Sequence, residues 1–507
     1  MKKLLRIGLG LLLAIAGISL ANAWTVPDSI TSDPYDDSHP AGTWGWIAWE
    51  RSIFYDITAI FVKKMDESGH GWLPEENISR DVTKGGYPSI ARWIGNGLLA
   101  KEKVMLVWQA QDYHQGKGWD FDIFYSFYKD NVWSFPEAVE SVDGDDLHPS
   151  VVAAREDTPR FYLVWERGGS IWASDFYEAG GWSEPKLLVP ADSTTYNSNP
   201  DAVVHAPQNL CAIWECRIDS TTEIRSLVTE SGDTTWLTLS ATDCHNLNPS
   251  FSQGDGIIAL WESDEDGNWE IYSCDYYSPH PERERITDNP AFDLNSVGFN
   301  YYLPIERRRN WFFSSKEPVI TTWQSDRDGN YNIFVYDFFN EPTRICDNDS
   351  SDQNPTMSIS WATKWDSLYV WVIWETNRNG NWDLYGSRKA IDLGAVKGDP
   401  KTSLPIHLML SQNYPNPFNP ATVIRYSLLV DRSAISYQRS AVSLKIYNIL
   451  GQEVRTLVSQ EQRAGSYTVV WDGKDTRGKE VSSGVYFCRL EVEGLKAEMV
   501  RKMVLMK

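Results

Sequence analysis

The chain has 507 residues, 42% of them hydrophobic, with 24 tryptophans, six cysteines and a formal net charge of -22, long enough for more than one domain and a large core. From Leu404 onward it carries 14 Lys or Arg against 9 Asp or Glu, whereas the stretch between residues 24 and 403 carries 30 against 60. So acidic a body makes nucleic acid and anionic membrane surfaces poor partners, and no nucleic-acid ligand is expected.

Residues 1–23 read as a signal peptide. Lys2, Lys3 and Arg6 precede an apolar run from Ile7 to Leu20, and Ala21-Asn22-Ala23 supplies the small residues a signal peptidase accepts. No later segment approaches about 18 uninterrupted apolar residues, so no transmembrane segment is expected in a mature chain beginning at Trp24. Export would place the cysteines (Cys211, Cys216, Cys244, Cys274, Cys346 and Cys488) where pairing is permitted. Their spacing assigns no connectivity, and no Cys-x-x-Cys unit points to zinc or redox work.

From residue 24 to 392 the chain is organised by a recurring pair, Trp followed by Glu or Gln, at the end of an apolar run. It occurs at Trp49-Glu50, Trp108-Gln109, Trp165-Glu166, Trp214-Glu215, Trp261-Glu262, Trp323-Gln324 and Trp374-Glu375. A near-regular period carried by β-branched and aromatic runs marks radially repeated four-stranded sheets, an all-β fold of seven propeller blades. The fifth repeat shows the unit: an inner strand from Asn248, a second strand Ile257 to Glu262, a turn at Asp264 to Asn268, a third strand Trp269 to Asp275 and a fourth at Arg285 to Thr287. Asp-Gly and Asn-Gly at such turns supply positive φ at little steric cost, and the hairpin recurs at Asp328-Gly329-Asn330 and Asn379-Gly380-Asn381. Trp-Ser-x-Pro, at Trp133 to Pro136 and Trp182 to Pro185, opens outer strands. Trp24 to Thr31 is expected to supply the outer strand of the seventh blade, closing the ring with the chain's first strand.

Ser263 to Tyr272 with Ile286-Thr287-Asp288-Asn289, Ser325 to Phe334 and Thr376 to Tyr385 resemble the repeats of TolB-type propellers. Repeats one to four keep the Trp-Glu or Trp-Gln pair and lose part of the hairpin, and repeat six carries an insertion from Phe299 to Lys316. The resemblance implies architecture and transfers no catalytic residue.

Residues 393–403 read as a linker, and residues 404–507 as a separate domain. Alternating strands at Thr422 to Leu428, Val442 to Tyr447, Glu453 to Leu457, Ser466 to Trp471 and Met499 to Leu505, with turns at Trp471 to Asp475 and Ser483 to Phe487, predict an immunoglobulin-like β-sandwich. Within it, Asn413 to Pro420, Lys445 to Gln452, Trp471-Asp472-Gly473 and Ser483 to Tyr486 resemble the type A C-terminal sorting domain of the type IX secretion system, kin of the FlgD immunoglobulin-like module. That resemblance implies delivery to the outer surface of a Gram-negative bacterium, or release from it, with the type IX machinery as the partner of residues 404–507.

The repeated Glu or Gln could do acid-base work, but a polar group at one strand position in every blade is also what a repeated inter-blade hydrogen bond requires. The adjacent tryptophan points to the opposite sheet face, where it should fill the wedge between blades. Loops between second and third strands and those between blades emerge on one face, which collects Asp264, Asp266, Asp326 and Asp328 together with Trp119, Trp269, Tyr331 and Trp382. These eight are the candidate ligand-binding residues, for a carbohydrate stacked on the aromatics or for a protein. Asp264-x-Asp266-Gly267 is a fragment of a calcium loop, so calcium stays open, though turn chemistry explains Asp-Gly-Asn and no cofactor is predicted. No nucleophile elbow, zinc-binding helix motif or phosphate loop occurs, and no catalytic residue is assigned. His39 and His148 stand where other repeats have Asn before the blade-opening proline. The expected function is an exported binding protein; the alternative is a secreted enzyme degrading polysaccharide or peptide at the propeller channel.

Overall fold

The computed structural model describes residues 24–54, 57–80, 83–93, 101–111, 120–140, 142–154, 158–205, 209–230, 233–254, 257–276, 283–300, 320–337, 340–361, 367–392, 406–410, 413, 416–430, 440–462, 465–492 and 498–506. Among these there is no helix, and the chain divides after Ala395 into two compact units. The expected leader, the linker and Trp119 lie outside the described residues, as does most of the blade-six insertion.

The first unit contains seven sheets of four or five strands, each running antiparallel from its first strand outward. The first strands are Asp36–Thr43, Thr83–Trp93, Asp146–Ala153, Thr195–His205, Asn246–Phe251, Asp293–Asn300 and Asp352–Trp361, for blades 1 to 7 in order. Each neighbours the first strands of the blades before and after it, and the last neighbours the first, so the cycle closes. That is the seven-bladed propeller expected from the repeat.

Closure occurs as predicted. Asp28–Ser29 pairs antiparallel with Asp383–Asp392, Asp28 opposite Gly386 and Ser29 opposite Tyr385. The Thr25 and Ile30 amides extend the contact by donating to the carbonyls of Arg388 and Leu384. The ladder is short because Pro27 has no N–H to offer, and Ser387 Oγ adds a 2.6 Å bond to the Thr25 carbonyl.

Tryptophans of the repeated pair form the core. All seven are at most 1% exposed, and each faces a third-strand residue across the sheet: Trp49 meets Phe61, Trp108 Phe124, Trp261 Tyr272 and Trp323 Phe334, with stacked rings about 6 Å apart. Such cross-strand aromatic pairs add roughly 0.5–1.5 kcal/mol beyond area burial. Four indoles also donate to the side chain near the start of the same blade's first strand: Trp49 to Asp37, Trp165 to Asp146, Trp214 to Asn197 and Trp374 to Asp352. The buried carboxylates of Asp37 and Asp146 are bonded in addition by Arg51 and Arg167, as a buried charge requires. Cys211, Cys216, Cys274 and Cys488 are buried thiols within the strands, and Cys346 is buried just beyond Asn340–Arg344.

The second unit is a two-sheet sandwich, Ile406–Leu410, Thr422–Val430 and Gly465–Trp471 facing Glu453–Gln462, Ser440–Asn448, Gly484–Val492 and Glu498–Leu505. Trp471, fully buried, packs between Phe418 and Tyr486. Ser483 to Phe487 was expected to turn. Instead Gly484–Val492 is a strand between two neighbours, because alternate residues Tyr486, Cys488, Leu490 and Val492 are needed in the core.

Candidate functional site

The residue before each blade-opening proline has positive φ: His39, Tyr87, His148, Asn199, Asn248 and Asn354 before Pro, and Asn295 before Ser296, all between 48° and 53°. The ladder between first and second strands shifts register at this same place in all seven blades. The chain bulges there in every blade, including blade 6 where Ser296 replaces Pro, so the left-handed residue is the common feature and proline, which cannot donate to the ladder, suits the position after it. The bulge releases the N–H of the left-handed residue. Asn tolerates the left-handed conformation better than most residues, which is why four blades use it.

Every released N–H goes to the Glu or Gln of the preceding blade. Tyr87 N donates to Glu50 (3.2 Å), His148 N to Gln109 (2.8 Å), Asn199 N to Glu166 (3.4 Å), Asn248 N to Glu215 (2.8 Å), Asn295 N to Glu262 (2.5 Å), Asn354 N to Gln324 (2.8 Å) and His39 N to Glu375 (2.7 Å). The Trp-Glu pair therefore stitches blade to blade on one face while its tryptophan fills the other, as the inter-blade reading required. Gly86 lets Glu50 approach: a Cβ there would sit 2.6 Å from the Glu50 carboxylate.

The same seven positions form a ring of side chains at the end of the propeller axis where the second-to-third-strand hairpins emerge. On blades 4 to 7 it is an amide chain, Asn199 donating to Asn248 (3.3 Å), Asn248 to Asn295 (3.3 Å) and Asn295 to Asn354 (2.7 Å). On blades 1 to 3 it is aromatic. The His39 and Tyr87 rings are 4.6 Å apart and those of Tyr87 and His148 5.1 Å, and Tyr87 is 43% exposed. Sequence reasoning noticed His39 and His148 but not Tyr87. Its signal was the same residue-before-proline position, hidden because Tyr resembles neither Asn nor His in size.

The hairpin residues on this face are engaged in turns. Asp264 accepts from the His245 amide (2.7 Å) and Asp326 from that of Phe292 (2.9 Å); Asp266 accepts from Tyr272 and Arg285, which hold its carboxyl below the usual range; Asp328 pairs with Arg344. Trp269, Tyr331 and Trp382 are half-buried at equivalent places in blades 5, 6 and 7. Their carbonyls accept from Asp293, Asp352 and Asp37 of the following blades. No group of three or more His, Cys, Asp or Glu side chains among the described residues could hold a metal ion, and no helix among them is long and apolar enough to cross a membrane.

Residues 433–495 match the family model of the FlgD Ig-like domain. No curated protein matches the chain in sequence. Among solved structures, the chain is similar to the β-propeller domain of the Trilobed protease from Pyrococcus furiosus, with 8% identity over 72% of this chain and 99% of that one and a TM-score of 0.44. It is similar to PorZ, an essential surface component of the type-IX secretion system of Porphyromonas gingivalis, with 11% identity, 94% and 61% coverage and a TM-score of 0.38. A putative TolB from Agrobacterium tumefaciens shows 13% identity, 66% and 92% coverage and a TM-score of 0.31. These are likenesses of shape and assign no activity.

The ring's electrostatics follow its two chemistries. Burial pushes the Glu50 and Glu166 carboxyls up, but hydrogen bonds from His39 (2.8 Å) and from His148 (3.2 Å) and Tyr196 (2.8 Å) outweigh it, and both end below the usual range. Burial likewise opposes charge on His39, and Glu50 and Glu375 overcome it. Opposite amides, burial prevails at Glu215, Glu262 and Glu375, and Glu262, 1% exposed with Glu215 nearby, is pushed up to about 7. A carboxyl of that pKa has the proton affinity of a general acid. Its Oε1, however, accepts from Asn248 Nδ2 and Asn295 N, and the group is enclosed by the blades.

Proposed function

We propose that this protein is an exported ligand-binding propeller, delivered across the outer membrane by the type IX secretion machinery acting on residues 404–507, and that its ligand sits on the hairpin face at the mouth of the ring. The single observation that carries the binding reading is the break in symmetry at the mouth. One backbone bond is made seven times, yet the side chains above it are amides on four blades and half-exposed rings on three. Stitching needs only the N–H, and packing alone would leave such rings buried. The half-buried Trp269, Tyr331 and Trp382 lie further out on the same face and extend the candidate surface. Delivery is supported by the sorting-domain motifs from Asn413 to Tyr486 and by the FlgD Ig-like match over 433–495. The destination is the outer surface of a Gram-negative cell or the medium beyond it.

Two measurements test this. In a bacterium with the type IX machinery the full chain should reach the surface or medium, and a chain ending at Ser403 should stop in the periplasm; surface delivery of the shortened chain would overturn the sorting role. A glycan and peptide binding screen on the full chain, with and without calcium, should return a ligand. A screen empty in both classes would overturn the binding reading.

A further inference from the structure

We infer that the mouth of the ring takes the end of a neutral oligosaccharide, an inference that rests on the ligand-binding reading above. Three rings touch along blades 1 to 3, tilted or edge-on to one another, and a fourth, Tyr196 of blade 4, is joined to them through Glu166. His39, Tyr87 and His148 touch in succession; His148 bonds Glu166, and the other oxygen of Glu166 accepts from the hydroxyl of Tyr196. Tyr87 and Tyr196 are 43% and 39% exposed, and the two imidazoles are comparably open.

The crescent is held in place. Tyr196 lies so close over Gly169, which has a φ of +76°, that a Cβ there would come within 2.8 Å of its ring, and Arg217 lies over the same ring at 5.0 Å. Tyr87 is fixed through its own backbone bond to Glu50. Facing the crescent around the ring, Asn248, Asn295 and Asn354 carry amides in a head-to-tail chain. The mouth thus presents half-exposed aromatic rings on one side and a chain of amide donors and acceptors on the other. A pyranose has the matching asymmetry, a C–H face that stacks on aromatic rings and hydroxyls that bond to amides.

Charge narrows the class. A body with 30 basic and 60 acidic residues repels uronate or sulfated chains. The ring's carboxylates already accept from backbone amides, and on the aromatic side from imidazoles as well, so a cationic ligand would have to displace bonds that hold the blades together.

The test is calorimetric titration of the full chain with cellohexaose, mannohexaose and N-acetylglucosamine hexamer, with hexagalacturonate and a tryptic casein digest as comparisons. A neutral hexasaccharide should bind and hexagalacturonate should not. The double variant Tyr87→Asn/His148→Asn installs the residue that blades 4 to 7 carry at this position, so it should keep its melting temperature while binding weakens by about tenfold or more. Tyr87→Phe, which keeps the stacking face, should bind more tightly than Tyr87→Asn. Failure of every neutral hexasaccharide to bind overturns the inference. If casein peptides bind instead and the double variant loses them, the mouth is the site and the sugar assignment is wrong. If a hexasaccharide binds equally well to parent and double variant, the mouth itself is wrong.

Discussion

The seams of blades 1 and 3 and those of blades 4, 5 and 7 are made by the same residue in the same place, and they respond to protons in opposite ways. In each, a glutamate accepts the N–H freed by the next blade's bulge. Glu50 and Glu166 face imidazoles and have lowered pKa values; Glu215, Glu262 and Glu375 face amides and have raised ones. Geometry at a seam is thus set by the fold, and charge by the side chain at the bulge of the glutamate's own blade. Blades 2 and 6 avoid the question by using Gln109 and Gln324, neutral acceptors of the same length.

The largest expected effect ignores the distinction. Glu50→Ala and Glu215→Ala each leave a backbone amide, Tyr87 N or Asn248 N, without its acceptor, together with the side-chain donors Ser38 and His39 in one case and Ser198 and Asn199 in the other. An orphaned buried donor costs about 1–3 kcal/mol; Asn248 N is part-buried and Tyr87 N exposed, so both variants should unfold at lower temperature, Glu215→Ala by more. A melting temperature equal to the parent's in either would mean that these bonds do not hold the blades.

Replacement by Gln separates the two arcs. Burial raises Glu262 in the fold to about 7 from the ordinary 4.5, so the folded state binds the extra proton, and stability falls as pH rises from about 4.5 through about 7. Glu262→Gln removes that loss. It should stabilise at pH 8 by on the order of 1–3 kcal/mol and change little near pH 5. Glu50 has the opposite sign: its contribution is present above the ordinary carboxyl value of 4.5 and is lost as pH falls through its lowered folded value, while that of His39, raised above 6.5, is lost as pH rises past its folded value. Glu50→Gln should therefore destabilise most between about pH 5 and 6.5, where the carboxylate and the imidazolium coexist. Unfolding of parent and both variants at pH 5, 6 and 8 checks this, and the same sign of change in both variants at every pH would erase the distinction between the arcs.

The sequence made the stitching legible because it repeats: a polar residue seven times after a buried tryptophan has few uses other than a bond between blades, and Trp24 to Thr31 could be placed because the seventh repeat lacked an outer strand. The mouth was obscured by the same regularity. Asn before proline looked like a turn signal, so His39 and His148 read as neutral replacements, and nothing local shows that positions 39, 87 and 148, about fifty residues apart, carry rings in contact. Gly484 was misread for a related reason, since Ser-Gly followed by alternating apolar residues fits the start of a strand as well as a turn.

The smallest expected effect concerns the hairpin carboxylates, whose Asp-Gly-Asn pattern suggested calcium. Asp328, exposed, meets the half-buried Arg344 at 3.3 Å, and surface pairs of this kind contribute about 0–1 kcal/mol. Asp264 and Asp326 differ, each accepting a backbone amide near the start of its own blade. Asp328→Ala should leave the melting temperature nearly unchanged, and Asp264→Ala should lower it modestly, with or without calcium. If calcium raised the parent's melting temperature and Asp264→Ala abolished the rise, the hairpins would be metal loops and the ring would lose its place as the distinctive chemistry of this face.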